Sequence, residues 1–151
     1  MTQSRSQRQS LTREYCFQYL FHLQMEAFEI LREEMSKSND DSELGQDLEN
    51  YDQSGEILLS EAEKMRAFNM IKSVIHNYQE INQKLEEKMT NWKLDRVSKV
   101  DHTILLLGVA EFLYLEKTPK QVVINECIEL AKKYGQKESP KFINGILDGL
   151  F

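Results

Sequence analysis

The chain has 151 residues, of which 40% are hydrophobic and 29% charged. This composition is typical of one globular domain with its own core, and it excludes a disordered chain. The longest apolar run, within 104–115, is shorter than the roughly 20 residues that a membrane helix needs, so we expect no membrane segment. The polar first ten residues lack the apolar stretch of a secretory signal, and we therefore expect a cytoplasmic protein.

The formal net charge of −6 is distributed unevenly along the chain. Residues 38–63 contain nine acids and no lysine or arginine, whereas residues 64–151 contain 14 basic and 11 acidic residues, a net of +3. An acidic total argues against phosphate binding, which usually needs a basic surface. Because the acidity is local, the net charge does not exclude a nucleic-acid partner.

The amino-terminal part predicts one long helix and an acidic loop. Apolar side chains recur at three- and four-residue steps over 11–31, which predicts the first helix, with Ser10 or Thr12 as its cap. Residues 1–10 before it are expected to be a flexible basic arm. Residues 36–56 are rich in Ser, Asn, Asp and Gly, which indicates a loop or a short, loosely held helix. We expect a mobile acidic loop that contributes little to the core.

The rest of the chain predicts further helices and no strand. A helical pattern runs from 60 to about 90, and its length suggests a bend. Residues 104–115 are apolar on nearly all sides and predict the central, most buried helix. Thr118-Pro119 and Ser139-Pro140 are typical helix starts, and Gly135 is expected to end the helix between them in the left-handed conformation.

Motifs for enzymatic chemistry are absent from the sequence. It contains no phosphate-binding loop, dinucleotide fingerprint, nucleophile elbow or zinc-protease motif. His22, His76 and His102 are scattered, without a second ligand at metal spacing. Cys16 and Cys127 are far apart and lack a CxxC pair, which favours two reduced, buried thiols over a disulfide or a metal site. We therefore expect neither catalysis nor a cofactor.

Two motifs in the carboxyl-terminal third carry the most specific information. Residues 118–135 read TPKQVVINECIELAKKYG, and residues 139–148 read SPKFINGILD. Together they resemble the NusB family, whose pattern combines Val-x-Ile-Asn-Glu, Glu-Leu-Ala-Lys, Phe-Gly and Ser-x-Lys-Phe-Val-Asn-Gly-x-Leu. The likeness extends upstream to Trp92 and to Arg13-Glu14, and it leaves out only about residues 33–64.

The resemblance implies a compact all-α fold of about seven helices in two helical subdomains, forming a single domain over residues 1–151. It also implies a non-enzymatic, RNA-binding factor of transcription antitermination and termination. Such a factor binds boxA-type single-stranded RNA together with the ribosomal protein NusE, as part of the RNA polymerase antitermination complex in ribosomal RNA operons. The free protein is expected to be a monomer or a homodimer.

The sequence departs from the family pattern at several positions. Where many members have consecutive arginines, this chain has Gln9, Ser10 and Leu11, and Leu106 stands where an arginine is common. Gly108 replaces an alanine. An alternative is therefore a protein-interaction module that keeps NusE binding with weak or no RNA binding. NusB-like domains also occur fused to RNA cytosine methyltransferases, but no catalytic domain is expected here.

The candidate RNA contacts combine residue chemistry with the family resemblance. Arginines neutralise phosphates, aromatic rings stack on unpaired bases, and a helix start with nearby lysines attracts anions. The candidates are Arg5, Arg8, Arg13, Phe21, Tyr134, Lys137, Glu138, Lys141 and Phe142. Glu138 is expected to weaken RNA binding by repulsion, and for each aromatic residue burial in the core is an equally good interpretation. By resemblance, the candidate protein-binding residues are Asp95, Arg96 and Asp101.

Overall fold

A computed structural model describes residues 3–26, 29, 33–34, 41–52, 55–89, 93–115 and 117–151. Within these residues the chain has seven α-helices, one 3-10 turn and no strand, so the all-α prediction is confirmed. The chain divides into two compact units, Met1–His76 and Asn77–Phe151, and a single domain over the whole chain stays a prediction. Trp92 and parts of the predicted first helix and acidic loop lie outside the described residues.

The first unit is built from the described helices α1 (Arg5–Glu26), α2 (Ser42–Asp52) and α3 (Glu61–His76). Both α1 and α2 pack against α3. The Cys16 thiol of α1 donates to the backbone carbonyl of Ala67 in α3 at 3.7 Å, so these two helices approach closely. The larger buried side chains of α1 and α3 are Phe17, Tyr19, Leu20, Met70 and Ile71.

The first helix begins earlier than predicted, inside the segment expected to be a flexible arm. Ser4 and Gln7 form a capping box, in which the Ser4 hydroxyl accepts from the Gln7 amide at 3.1 Å and the Gln7 side chain accepts from the Ser4 amide at 2.8 Å. Ser10 and Thr12 lie inside the helix and donate to carbonyls one turn earlier. The predicted start at Leu11 is wrong, because this box caps a helix whose first turns are polar.

The acidic stretch contains a packed helix where the sequence predicted a mobile loop. Leu44 and Leu48 of α2 are buried, and Tyr51 lies edge-on against Tyr19 of α1, with ring centroids 5.1 Å apart. These three α2 residues are four and three positions apart, so they share one helix face. The loop prediction for residues 36–56 is therefore wrong over α2, since a few apolar residues at helical spacing anchor an otherwise acidic helix.

The second unit contains α4 (Tyr78–Lys88), a 3-10 turn (Leu94–Arg96), α5 (Lys99–Tyr114), α6 (Lys120–Tyr134) and α7 (Ser139–Leu150). Helix α5 packs against α4, α6 and α7, and every residue of it from His102 to Glu111 is buried, which confirms the predicted central helix. The long pattern from 60 to about 90 is interrupted at Asn77, so it forms two helices. In the described part of the chain, no helix combines the length and apolar character needed to cross a bilayer.

Two glycines allow close packing in the second unit. A Cβ atom on Gly108 of α5 would lie 2.7 Å from the Cys127 sulfur of α6 and 3.3 Å from Leu147 of α7, so the absence of a side chain permits this approach. Gly135, after α6, has a φ of −90° and is not left-handed, so that prediction is wrong. A Cβ atom on Gly135 would lie 2.7 Å from Ser139. A glycine is therefore needed here because a side chain would clash, and not because the backbone is left-handed.

A buried histidine connects α5 to α4. His102 lies in the first turns of α5, and its Nε2 atom is 2.7 Å from the Asn82 side-chain oxygen of α4. Burial lowers the pKa of His102 to about 4, because the charged ring would lose its hydration. The ring is therefore neutral near pH 7, and the two helices are joined by a polar contact that buries no charge.

We predict that Leu44→Ala destabilises the protein, although Leu44 lies in the most acidic stretch. Removing a fully buried leucine leaves a cavity in the first unit and lowers the free energy of unfolding by about 2–5 kcal/mol. Urea denaturation followed by circular dichroism measures this loss. Gln46→Ala, at an exposed position of the same helix, is the matched control and should change stability little. Equal stability of the two variants would contradict the packing of α2.

Candidate nucleic-acid and protein interface

Five of the candidate RNA contacts lie together around the turn between α6 and α7. Lys137, Glu138 and Lys141 are exposed, and Tyr134 and Phe142 are partly exposed, so none of the five is fully buried in the core. The Tyr134 ring, at the end of α6, has the Lys133 ammonium 5.5 Å from its centroid. The turn therefore presents two ring surfaces and two lysines, together with one carboxylate.

Buried Ser139 stabilises this turn through two hydrogen bonds. Its hydroxyl accepts from the Gln136 amide at 2.9 Å, and its own amide donates to the Gln136 carbonyl at 3.0 Å. Ser139 is buried, and Glu138, whose side chain makes no capping hydrogen bond, is the residue before α7. Pro140 has no amide hydrogen, so the start of α7 offers fewer free donors than the sequence suggested. Phosphate attraction at this turn depends mainly on its lysines.

A crevice in the second unit brings candidates for both kinds of partner together. It has a volume of about 330 Å³ and is bordered by the segment between the 3-10 turn and α5 on one side and by the α6–α7 turn on the other. Arg96 and Asp101 line it from the first side, and Glu138 and Phe142 line it from the second. Asp95, the third protein-binding candidate, is exposed next to Arg96. The sequence did not predict that these two sets would share one surface.

Asp101 gives this crevice a specific polar feature. Ser98 caps α5 by accepting from the Asp101 amide at 3.1 Å, which fixes the backbone of Asp101 in the first turn of the helix. The Oδ1 atom of Asp101 is buried and has no hydrogen-bond partner among the described residues. A buried carboxylate oxygen without a donor is unfavourable, so a donor from a bound molecule would be stabilised there. The crevice is therefore suited to a cationic or amide group beside an aromatic ring.

The candidates in the first unit differ in how accessible they are. Arg5 is exposed at the start of α1. Arg13 is only 4% exposed and interacts within the protein, so its predicted contact with a phosphate is not supported by its position. Phe21 is partly exposed, and it stacks on Phe17 with ring centroids 6.0 Å apart and an angle of 17°. Of these side chains, Arg5 and one face of Phe21 remain the better candidates.

Arg8 is held by three neighbours in the first unit. Its Nε and Nη2 atoms donate to the two carboxylate oxygens of Glu63 at 2.9 and 2.6 Å. Its Nη2 atom also donates to the backbone carbonyl of Leu58 at 2.9 Å, and its Nη1 atom donates to the Gln3 side chain at 2.8 Å. Four of the five guanidinium hydrogens are used, so Arg8 does not present a free fork to a phosphate.

Glu63 is a neighbour of Arg8 that the sequence analysis did not identify. It forms a capping box with Ser60 at the start of α3, because its carboxylate accepts from the Ser60 amide at 2.8 Å and its amide donates to the Ser60 hydroxyl at 3.2 Å. The hydrogen bonds from Arg8 and then from Ser60 lower the pKa of Glu63 to about 2. The spacing of Ser60 and Glu63 predicts the capping box from sequence, whereas the contact with Arg8 spans 55 residues and needs the fold.

The described residues show no arrangement for metal chemistry. Among them, no three His, Cys, Asp or Glu side chains lie close enough to hold a metal ion. Cys16 and Cys127 are buried and are not joined by a disulfide, as the sequence predicted. Each thiol is placed in the core of its own unit, where it packs as a small apolar side chain.

Comparison with known proteins identifies one family. The model of the NusB family matches residues 10–151. The chain is 50% identical over 82 residues to the transcription antitermination protein NusB of Geotalea daltonii, which covers 54% of this chain and 57% of that protein. It is 35% identical over 108 residues to the protein of the same name from Clostridium novyi, covering 72% of this chain and 81% of that protein. The aligned part of the Geotalea protein is thus little more than half of its length.

Solved structures agree with this result. NusB of T. maritima superimposes with a TM-score of 0.72 at 28% identity, covering 99% of this chain and 92% of that chain. A chain in the crystal structure of antitermination factors NusB and NusE in complex with double-stranded RNA gives a TM-score of 0.72 at 20% identity, over 95% and 96% of the two chains. At 20% identity the second likeness shows the fold alone. The resemblance found in the carboxyl-terminal motifs is confirmed.

Proposed function

Because the chain belongs to the NusB family, we propose that it is an RNA-binding transcription antitermination factor. It binds boxA-type RNA together with the ribosomal protein NusE, within the RNA polymerase complex that transcribes ribosomal RNA operons. The crevice of the second unit is the observation that carries this proposal, since candidates for both partners line it. The protein acts by binding rather than by catalysis, and it acts in the cytoplasm, where transcription takes place.

The RNA side of the proposal rests on the α6–α7 turn. Single-stranded RNA is held by cations that contact its phosphates and by rings that stack on its bases. Lys137 and Lys141 are exposed beside the partly exposed rings of Tyr134 and Phe142, which matches both needs within a short stretch of chain. Arg5 of the first unit adds an exposed cation to the candidate set.

The proposed NusE binding rests on the border of the crevice that is formed by the 3-10 turn and the start of α5. Asp95 and Arg96 are exposed, and in the part of the chain that the structure describes no group donates to the buried oxygen of Asp101. A ribosomal protein is typically basic, so its lysine or arginine side chains would find two carboxylates here. Such charges set the rate and specificity of association more than its total affinity.

The alternative function is a protein-interaction module with weak or no RNA binding. Two observations favour it: Arg8 is paired with Glu63, and Arg13 is buried, so neither arginine is readily available to a phosphate. Glu138, in the α6–α7 turn, also favours this alternative, because its carboxylate repels a phosphate. The two functions differ in whether RNA binds, and RNA binding is directly measurable.

We expect labelled boxA-like RNA to bind the protein weakly alone and more tightly when NusE is present. Binding should weaken as salt rises, because each phosphate contact releases condensed counterions. Fluorescence anisotropy titrations at two salt concentrations measure both effects, with an RNA of the same length and scrambled sequence as the control. NusE binding without RNA binding in the same samples would favour the interaction module, and the absence of both would reject the proposed function.

Reversing the two carboxylates of the protein-binding set should weaken NusE binding. We expect Asp95→Lys with Asp101→Lys to lower NusE affinity by roughly tenfold at low salt, because like charges across an interface repel each other and solvent partly screens that repulsion. Titration calorimetry measures the change in affinity, and circular dichroism checks that the helix content of the protein is unchanged. The matched control is Glu86→Lys with Glu87→Lys, which changes the same charge at exposed positions of α4. Unchanged NusE binding would remove Asp95 and Asp101 from the interface.

Glu138→Gln should tighten RNA binding by a few-fold at low salt. The carboxylate is exposed between Lys137 and the start of α7, so it repels a phosphate held by the neighbouring lysines. The effect is on the order of 1 kcal/mol or less and fades as salt screens the charge. Binding of NusE alone is the internal control and should not change. If Glu138 acts only on the helix dipole, the variant loses a little stability and RNA affinity stays the same or falls.

A further inference from the structure

The contact between Arg8 and Glu63 has the geometry with which arginine recognises phosphate. The Nε and Nη2 hydrogens form two parallel hydrogen bonds to the two carboxylate oxygens, at 2.9 and 2.6 Å. Two parallel donors on one edge of the guanidinium are also what a phosphate group engages. A phosphate and Glu63 would therefore compete for the same edge of Arg8.

Glu63 is held in place for this contact by its own helix. The capping box with Ser60 fixes the carboxylate at the first turn of α3, where the same Oε1 atom accepts from the Ser60 amide and from Arg8. Arg8 is fixed in turn by the carbonyl of Leu58 and by Gln3. The pair thus joins the amino-terminal turns of α1 and α3 within the first unit.

The pair is open to solvent and can be displaced. The side chains of Arg8 and Glu63 are 32% and 18% exposed. A partly exposed ion pair adds little net stability, since water and salt compensate its loss. A polyanion that brings several phosphates at once can therefore exchange with the carboxylate, whereas a single small anion at low concentration cannot.

We propose that Glu63 is an internal competitor of RNA phosphate for Arg8, and that it sets the affinity and the salt dependence of the amino-terminal part of the RNA-binding surface. This inference rests on the proposed RNA binding of the chain. In the free protein Arg8 is paired with Glu63, and in the RNA complex the guanidinium is shared between that carboxylate and a phosphate, so Arg8 makes only part of a full phosphate contact. Weak RNA binding by the free protein follows from this competition.

The test compares boxA-like RNA binding by Glu63→Gln with binding by Glu61→Gln. Glutamine keeps the capping box at position 63 but removes the charge that pairs with Arg8. Glu61 lies two residues earlier with a 95% exposed side chain, and its nearest cation is Lys64 at 3.8 Å. Both variants remove one negative charge, so a general charge effect changes both equally. We expect Glu63→Gln to bind roughly threefold tighter or more at low salt, beyond any gain of the control.

The salt dependence distinguishes competition from a structural role. In Glu63→Gln, Arg8 completes its phosphate contact, which makes the slope of log affinity against log salt steeper by up to about 0.7 for single-stranded RNA. The double variant Glu63→Gln with Arg8→Gln should lose both the gain and the steeper slope, because the gain acts through Arg8. Thermal unfolding of each variant checks that the first unit is intact. A change confined to melting temperature would assign the pair to stability alone.

The outcomes separate this inference from the proposed function. Tighter and more salt-sensitive binding by Glu63→Gln, dependent on Arg8, supports the competition. Equal effects of Glu63→Gln and Glu61→Gln, or weaker binding by Glu63→Gln, overturn it while RNA binding by the unmodified protein stands. If neither the protein nor any variant binds the RNA with NusE present, the proposed RNA binding and the competition both fall.

Discussion

The all-round burial of α5 is the constraint on which the second unit depends. An isolated helix with apolar residues on every side has no face for water, so it needs neighbours around its whole circumference. Helices α4, α6 and α7 supply them, and Gly108 lets α6 and α7 approach until the Cys127 sulfur and Leu147 fill the space that a methyl group would occupy. Because α6 and α7 are both held by α5, the turn between them has a fixed position relative to the start of α5. The crevice is a direct result of that arrangement.

Local sequence signals predicted the elements of this unit well. The apolar run of 104–115 required a buried helix, and the proline-containing starts of α6 and α7 correspond to helix starts in the structure within one or two residues. The same rules failed at α2, where a polar composition suggested a loop although Leu44, Leu48 and Tyr51 are spaced for one helix face. Composition describes the average of a segment, whereas packing depends on the few residues that face the core.

The candidate site was less predictable, because its geometry is set by distant parts of the chain. Arg8 and Glu63 are 55 positions apart, and neither the basic arm nor the acidic stretch indicates that they form a bidentate pair. The burial of Arg13 and the inward position of Ser139 likewise depend on tertiary packing. The lysines near α7 that residue chemistry selected are exposed, since lysine is rarely buried and the turn is short. Which cations are free to meet a phosphate was decided by the fold.

Some carboxylates of the acidic stretch, residues 38–63, form ion pairs with α3. Asp41 pairs with Lys72 at 2.7 Å and lies 3.1 Å from His76, while Asp52 pairs with Lys64 at 3.0 Å. The hydrogen bond from Lys72, followed by that from His76, lowers the pKa of Asp41. Two carboxylates of this stretch are therefore paired with lysines of α3 within the first unit.

Sharing one crevice also makes the two proposed partners thermodynamically dependent on each other. A group that satisfies Asp101 would lie within the same 330 Å³ space as Glu138 and Phe142. A cation from a protein partner that pairs with Asp101 adds positive charge near the lysines of the α6–α7 turn, where it attracts the phosphate that those lysines hold. By linkage, whatever RNA affinity the protein partner adds is matched by an equal gain in its own affinity when RNA is bound. Within the second unit this coupling needs no conformational change, because the groups involved border one cavity and act through their charges.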